Sequence, residues 1–526
     1  MPAHAPSSAE YDAIVVGGGH NGLIAAAYLA RAGMKTVVLE RRPIFGGACV
    51  TEEIAGAPGF RVSTGAAQLG NLRPEIVADL DLARHGYELL LPDPLTVLPQ
   101  FDGRDLVVWQ DPAKTRASIA AFSEADADAL PGWFADCGRF CEIVEPMLYA
   151  EATPSLGDVE QACRDAGRRD LFRDFVLGSI HDVLAARFES PAVQGFLGLT
   201  ATFGTNAGPR TPGTAYVMAH HLFGATAGRG RAGYVRGGMG GLAEALAAAA
   251  RGFGAELISD ADVAEIEIGP GGAATGVRLS DGRRLRARHV LSTADPKRTF
   301  LGMVGRERLD DAFARAIGRI QMRGQALKVN CALERLPRFP AAPPGATPAR
   351  VSICPSLDYV EDAWDAAKRG RMSPDPFMTV HMQSAIDPSL APAGKHTLTC
   401  YAQYFPYDLA PDLGGWERQR AAAGEIVLQA VARIAPDVRD CVVAAEVLSP
   451  ADIEDRFAMT GGHQFHGDIT PGQLFDDRPA EGCEGARTPI PGLYLAGAGA
   501  HPGGCVWGAP GQRAAAAVLK DARWNA

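Results

Sequence analysis

Six residues near the start of the chain, Gly17-Gly18-Gly19-His20-Asn21-Gly22, have the types and spacing of a phosphate-cradling turn. Gly17, Gly19 and Gly22 form G-x-G-x-x-G. The first permits a tight turn, the second lets backbone approach a pyrophosphate, and the third lets a helix lie close to a strand. The anion would rest on unsatisfied N–H groups at the helix start, with His20 and Asn21 beside it. Glu40 follows Gly17 by 23 residues, where a carboxylate accepts hydrogen bonds from ribose hydroxyls. Its charge repels a 2′-phosphate, although Arg41 and Arg42 weaken that exclusion. Gly46-Gly47 then brings backbone close to the same ligand a second time. The chemistry implied is dinucleotide binding.

A second glycine-rich segment closes the chain: Ala496-Gly497-Ala498-Gly499-Ala500-His501-Pro502-Gly503-Gly504-Cys505-Val506-Trp507-Gly508-Ala509-Pro510-Gly511. Its glycines allow close approach to a flat ring, and a helix starting near Pro510 offers N–H donors and partial positive charge. His501 is the candidate catalytic residue, able to donate a hydrogen bond or move a proton, with a loop-shaping role as its alternative. His463 and His466 read as hydrogen-bonding residues near a domain junction, and His20 as a cofactor contact. Cys49 reads as a buried inert thiol, and Met239 and Trp507 as pocket lining or core.

These residues need a frame. Positions 11–16 read as a strand buried on both faces, 23–32 as an Ala-rich helix stopped by Gly33, and 36–39 as a second strand. Residues 237–241 open another Ala-rich helix, followed by strands at 255–259, 263–268, 276–280 and 289–292. Strands at 95–99 and 105–109 flank an Asp-Gly turn, and 111–221 is mainly helical. Strands at 328–333, 377–384 and 396–404 alternate partly between apolar and polar, as in a separate substrate-domain sheet covered on one face. The proline-rich stretch 336–348 reads as a surface loop or lid, and Ser449-Pro450 as a helix start. The expected division is a nucleotide domain in three pieces, 1–92, 236–297 and 485–526, alternating with a substrate domain in two, 93–235 and 298–484.

Composition narrows the class. The 526 residues are 47% hydrophobic and 21% charged, which excludes disorder as the main state. A net charge of −10 without a basic run argues against a nucleic-acid partner. No apolar stretch reaches the roughly 20 residues of a membrane span, and no secretory leader is written, so cytoplasmic residence is expected. Peripheral membrane contact through apolar loops stays open. Ten scattered cysteines suggest reduced structural thiols, and no metal site is indicated.

With both ends in view, the chain resembles the phytoene-dehydrogenase-like FAD oxidoreductases, which include bacterial carotenoid desaturases. Within that group it is most similar to the subgroup called pyridine nucleotide-disulfide oxidoreductase domain-containing protein 2. The resemblance rests on residues 15–22, on 237–241 and on the long segment 461–515, while the middle matches loosely. It implies an α/β fold: a Rossmann-type, glutathione-reductase-like FAD-binding domain of the amine oxidase and phytoene desaturase clan, with an inserted α+β substrate domain. It places Gly17, Gly19 and Gly22 on the FAD pyrophosphate, Glu40 on the ribose, Val263 on the adenine, and Gly499 with the loop to Gly511 on the ribityl and isoalloxazine groups. Cys505 and Trp507 depart from the small residue and methionine usual in the subgroup, which puts the space over the ring in doubt. No C-x-x-C pair accompanies the nucleotide motif, so disulfide reductase activity is not implied.

The activity expected from this resemblance is removal of hydride from an apolar substrate, of isoprenoid or lipid-like type as a family-level guess. The electrons would pass to oxygen, a quinone or a protein carrier. Three alternatives stay open: an FAD-dependent amine oxidase, a non-redox flavin isomerase or hydratase, and a binding or assembly protein that retains FAD. Oligomeric state is not legible in the sequence.

Overall fold

The computed structural model describes residues 9–340 and 348–524. Two seven-stranded sheets form its frame. In the first, strand Ala9–Val16 lies between Thr36–Leu39 and Arg284–Ser292, parallel to both. Glu256–Ile258 extends one side, and Leu493–Leu495 pairs with Arg284–Ser292 in parallel. Segments from the beginning, middle and end of the chain therefore supply neighbouring strands.

The apolar run Ile14-Val15-Val16 is continuous because both faces of this sheet are covered. One face meets helices His20–Arg31 and Met239–Gly252 through Val15, Leu23, Leu242 and Leu246. The other meets Phe300, Met303, Phe313 and Ile317. Phe300, Met303, Phe313 and Ile317 thus pack on the nucleotide sheet, although they lie within the 298–484 segment expected to belong to the substrate domain. Their side chains cover strand residues Ile14, Val37 and Val290, which would otherwise be exposed.

The second sheet runs Val442–Leu448, Leu327–Leu333, His396–Ala402, Met378–His381, Arg350–Ile353, Thr96–Pro99, Asp105–Val108. Strands Thr96–Pro99 and Asp105–Val108 pair antiparallel around the Asp-Gly turn, where Gly103 takes a φ of +87° that disfavours a side chain. One face carries Val329, Cys331, Val380, Leu398 and Cys400 against Val427 and Val431 of helix Trp416–Ala432.

The opposite face carries Lys328, Asn330, Thr379, His381, Thr399 and Tyr401. Alternation is present, as the sequence implies, but this polar face does not meet water: Lys328 and Asn330 are fully buried, and Thr379 is 2% exposed. The sheet is covered on both sides, and Lys328, Thr379, His381 and Tyr401 of its polar side line a cavity. Helices between 111 and 221 form a separate apolar layer in which Phe140 stacks on Phe175. Of the proline-rich stretch, residues 341–347 lie outside the described residues. Helix Pro450–Phe457 begins with a reciprocal Ser449–Asp452 capping box. No helix among the described residues is long and apolar enough to cross a membrane.

Candidate cofactor and substrate site

One cavity of about 630 Å³ runs from the glycine turn, past the end of Thr36–Leu39, to the polar face of the second sheet. That volume lies within the usual range for ligand sites. Gly17, Gly19, His20 and Asn21 line its start. The two glycine segments are paired backbone to backbone: Gly46 N–H donates to the Gly18 carbonyl (2.8 Å), and Gly19 bridges Gly46 in parallel. No side chain caps helix His20–Arg31, so its first-turn N–H groups are available to an anion. His20 Nε2, Asn21 Oδ1 and His466 Nδ1 also lack protein partners there. Buried polar atoms without partners are rare: the two ring nitrogens can donate to a phosphate oxygen, while Asn21 Oδ1 accepts only and suits a hydroxyl of the same ligand.

Glu40 ends the second strand and is 6% exposed. Its carboxylate accepts from Gly18 N–H (2.8 Å) and Arg42 N–H (2.9 Å), which fixes it at the cavity wall beside the turn. Arg41 and Val263 line the same end. Arg41 donates to the carbonyls of Asp455 and Arg456, while Arg42 is held by Glu52 at 2.5 Å. The adenosine end therefore presents an acceptor for ribose hydroxyls, with one of the two neighbouring arginines committed to a carboxylate.

Several expected contacts lie elsewhere. Gly22 does not line the cavity; a Cβ there would meet the Gly17 carbonyl oxygen at 2.1 Å, so it serves helix–strand approach. Gly46 is likewise a backbone-pairing residue, whereas Gly47 lines the cavity. In the closing loop the lining residues are Gly497, Ala498, Cys505 and Val506. Gly499 packs on Pro296, and Gly508 on Ile24 and Ile76. Ala509 and Pro510 are buried at the start of helix Ala509–Trp524, whose Gly511 abuts the Asn21 carbonyl. These residues join the closing helix to the opening one rather than contacting the cavity.

His501 also stands outside the cavity. It is 1% exposed, with its ring 6.4 Å from Phe475, and burial together with Arg513 holds it well below the ordinary histidine range. His501 is not among the residues that line the cavity, so the geometry gives no support to the catalytic role expected of it. Trp507 is not over the cavity either: it is fully buried and stacks on His220 at 4.5 Å. Cys49 and Cys505 do line the cavity, with burial pushing the Cys49 thiol up to about 12. All ten cysteines are unpaired.

The far end of the cavity is a chamber that sequence patterns did not reveal. Lys328, Thr379, His381 and Tyr401 face it from the sheet, with Gln464, His221, Phe203 and Phe465 from loops and helices. Lys328, Tyr401 and Thr379 are register partners on adjacent strands and form one cross-strand row. Lys328 Nζ donates to the Ser63 and Gly65 carbonyls (2.6 and 2.7 Å), and burial lowers its pKa to about 7. In the neutral amine both hydrogens are thereby spent, leaving the lone pair free. Tyr401 donates to Gln464 Oε1. Phe203 packs edge-on against Tyr401 (5.6 Å) and His221 against Phe465 (5.9 Å), giving the chamber an aromatic side.

Arg478 fixes the loop that closes this chamber. Its guanidinium donates to five carbonyls, those of Phe465, Gly467, Asp468, Gln473 and Ala498. Burial lowers its pKa to about 10, so it remains cationic at neutral pH. His463 completes the loop by accepting from Phe465 and Gly467 N–H at Nδ1 and bonding Asp468 at 2.8 Å. Replacing Arg478 by methionine should destabilise the protein by roughly 3 kcal/mol or more, because buried carbonyls lose charge-assisted donors. Thermal unfolding checks this, and Arg478→Lys, with a three-donor point charge, should not restore the midpoint.

Comparison with known proteins agrees with this architecture. The family described as "Flavin containing amine oxidoreductase" matches residues 22–519. A mouse protein, pyridine nucleotide-disulfide oxidoreductase domain-containing protein 2, is 37% identical over 97% of this chain and 94% of its own length. One component of the limonene dehydrogenase of Castellaniella defragrans is 27% identical over 98% of this chain and 95% of its own. Among solved structures, cyclohexylamine oxidase of Brevibacterium oxydans shares the fold with a TM-score of 0.59 at 17% identity, covering 98% of this chain and 99% of that one. The glycine turn, the Glu40 wall and the cavity that they open fit FAD, and the chain is an FAD-dependent oxidoreductase belonging to the flavin-containing amine oxidoreductase family.

Proposed function

We propose that the chain oxidises a small amine with an apolar carbon frame. The observation that carries this reading is the row Lys328, Tyr401 and Thr379 on one side of a chamber whose other side includes Phe203 and Phe465. A tunnel for a long polyene would need apolar lining along its length, whereas this wall presents oxygen and nitrogen acceptors to an N–H donor. The amine alternative is therefore preferred to the apolar isoprenoid reading. Gly17, Gly19, His20, Asn21, Glu40, Arg41, Gly47 and Val263 would hold FAD along the cavity. When bound, FAD supplies the two-electron acceptor for hydride from the carbon next to nitrogen.

The chain's own contribution is orientation, exclusion of water and one proton. A protonated amine has no nitrogen lone pair to assist hydride loss. Neutral Lys328 Nζ takes that proton, becoming the ammonium, so that the bound amine reacts in its neutral form. The aromatic side holds the carbon frame and keeps water from the reacting carbon.

Anaerobic mixing of the FAD-loaded protein with cyclohexylamine, benzylamine and putrescine tests this. At least one should bleach the yellow flavin absorbance, and readmission of air with peroxide release would identify oxygen as acceptor. Limonene is the competing arm, motivated by the limonene dehydrogenase relative. Bleaching by limonene with none by any amine would return the reading to an apolar substrate.

A further inference from the structure

We propose that Thr379 is the residue that recognises the substrate's N–H, a hydroxyl held as a hydrogen-bond acceptor by His381 and Tyr234. This rests on the amine reading and names the atom within that chamber that selects for it. The direction of the chain follows from counting hydrogens. Tyr234 lies 2.9 Å from the Ala349 carbonyl, which can only accept, so the single phenolic hydrogen goes there. His381 Nδ1 lies 2.9 Å from the same phenolic oxygen and must therefore donate to it.

Burial, and after it the charge of Arg350 alongside, holds His381 far below the ordinary histidine range. A neutral imidazole carries one hydrogen, so Nε2 has a lone pair and accepts from Thr379 Oγ1 at 2.9 Å. The hydroxyl hydrogen of Thr379 is thus spent on the protein. Thr379 lines the cavity, and its oxygen has lone pairs but no hydrogen to offer a ligand. Such a group accepts from an amine and gives nothing to a carbonyl or an ether oxygen.

Every link is buried: Tyr234 is 1% exposed, His381 5% and Thr379 2%. The links come from separate parts of the chain. Tyr234 precedes helix Met239–Gly252 of the nucleotide domain, while His381 and Thr379 belong to the substrate sheet. Tyr234 and His381 are positioning residues, acting on substrate only through Thr379.

The test is anaerobic flavin reduction by cyclohexylamine, benzylamine and putrescine, resolved into an apparent Kd and a limiting rate. Thr379→Val keeps the side-chain shape and removes the acceptor. It should raise Kd about tenfold for the reactive amine, with the loss falling on Kd rather than on the limiting rate. Thr379→Ser should restore most of that affinity. Tyr234→Phe removes the acceptor for His381 Nδ1–H and lets the ring take its other tautomer, so Kd should rise with flavin content unchanged. A wild-type protein reduced by an amine, with Kd unmoved in Thr379→Val, overturns the inference and leaves the amine reading standing. If none of the three amines reduces the wild type, the reading falls and this inference with it. If Tyr234→Phe loses its flavin, the valine and serine variants decide.

Discussion

Lys328→Met should slow the limiting rate of amine-driven flavin reduction by about 100-fold, the lower range for loss of a positioned proton acceptor. The wild-type rate should rise as pH increases through about 7, where burial places the Lys328 ammonium, and the methionine variant should lack that limb. The same shift has a consequence independent of turnover. The folded lysine loses its proton near 7 and the unfolded one near the ordinary 10.5. Between those values the unfolded chain binds the extra proton, so native stability falls as pH drops from about 10.5 to about 7 and this contribution is flat below. Lys328→Met should remove that slope from a series of thermal midpoints. Stopped-flow rates and midpoints across this range check both halves, and a methionine variant that keeps the rate limb near pH 7 would refute the role.

That lysine was silent in the sequence, whereas the dinucleotide turn was plain, and the difference is physical. Gly17, Gly19, Gly22 and Glu40 act within one strand-turn-helix-strand unit, so their spacing encodes their geometry. Lys328 is brought beside Tyr401 and Thr379 only by strand register between distant segments. Its alternation with Val329 and Cys331 is the pattern of a strand with one wet face, and nothing local reveals that the second face is enclosed. The closing loop shows the opposite failure. A glycine marks close approach but not to what, and in the folded chain Gly499, Gly508 and Gly511 approach Pro296, Ile24 and the Asn21 carbonyl. His501 had the chemistry of a catalyst on a loop of the right kind, and only the folded chain shows that its ring does not line the cavity. The polar positions of strands Leu327–Leu333 and Met378–His381 were the one available signal, since Lys, Asn, Thr and His recur there at period two.

Gly22→Ala should yield a protein that binds FAD more than 100-fold more weakly, purified colourless and regaining little colour on incubation with the cofactor. Helix propensity argues the other way, since alanine is favoured over glycine within a helix by about 1 kcal/mol. The contact decides the sign. An added methyl would stand 2.1 Å from the Gly17 carbonyl oxygen and 3.2 Å from Val15 and Thr293 side-chain carbons. The first partner is backbone and cannot rotate away, so helix His20–Arg31 must move off the strand and carry its first-turn N–H groups with it. Gly132→Ala separates the two effects. Gly132 is exposed in helix Glu124–Tyr149, and a methyl there meets nothing within 4 Å, so propensity acts alone. That variant should remain yellow and gain up to about 1 kcal/mol of stability. Flavin content and thermal unfolding of the pair measure the opposition. A Gly22→Ala protein with wild-type flavin content would mean that the turn tolerates displacement and that the pyrophosphate is held chiefly by His20, Asn21 and His466.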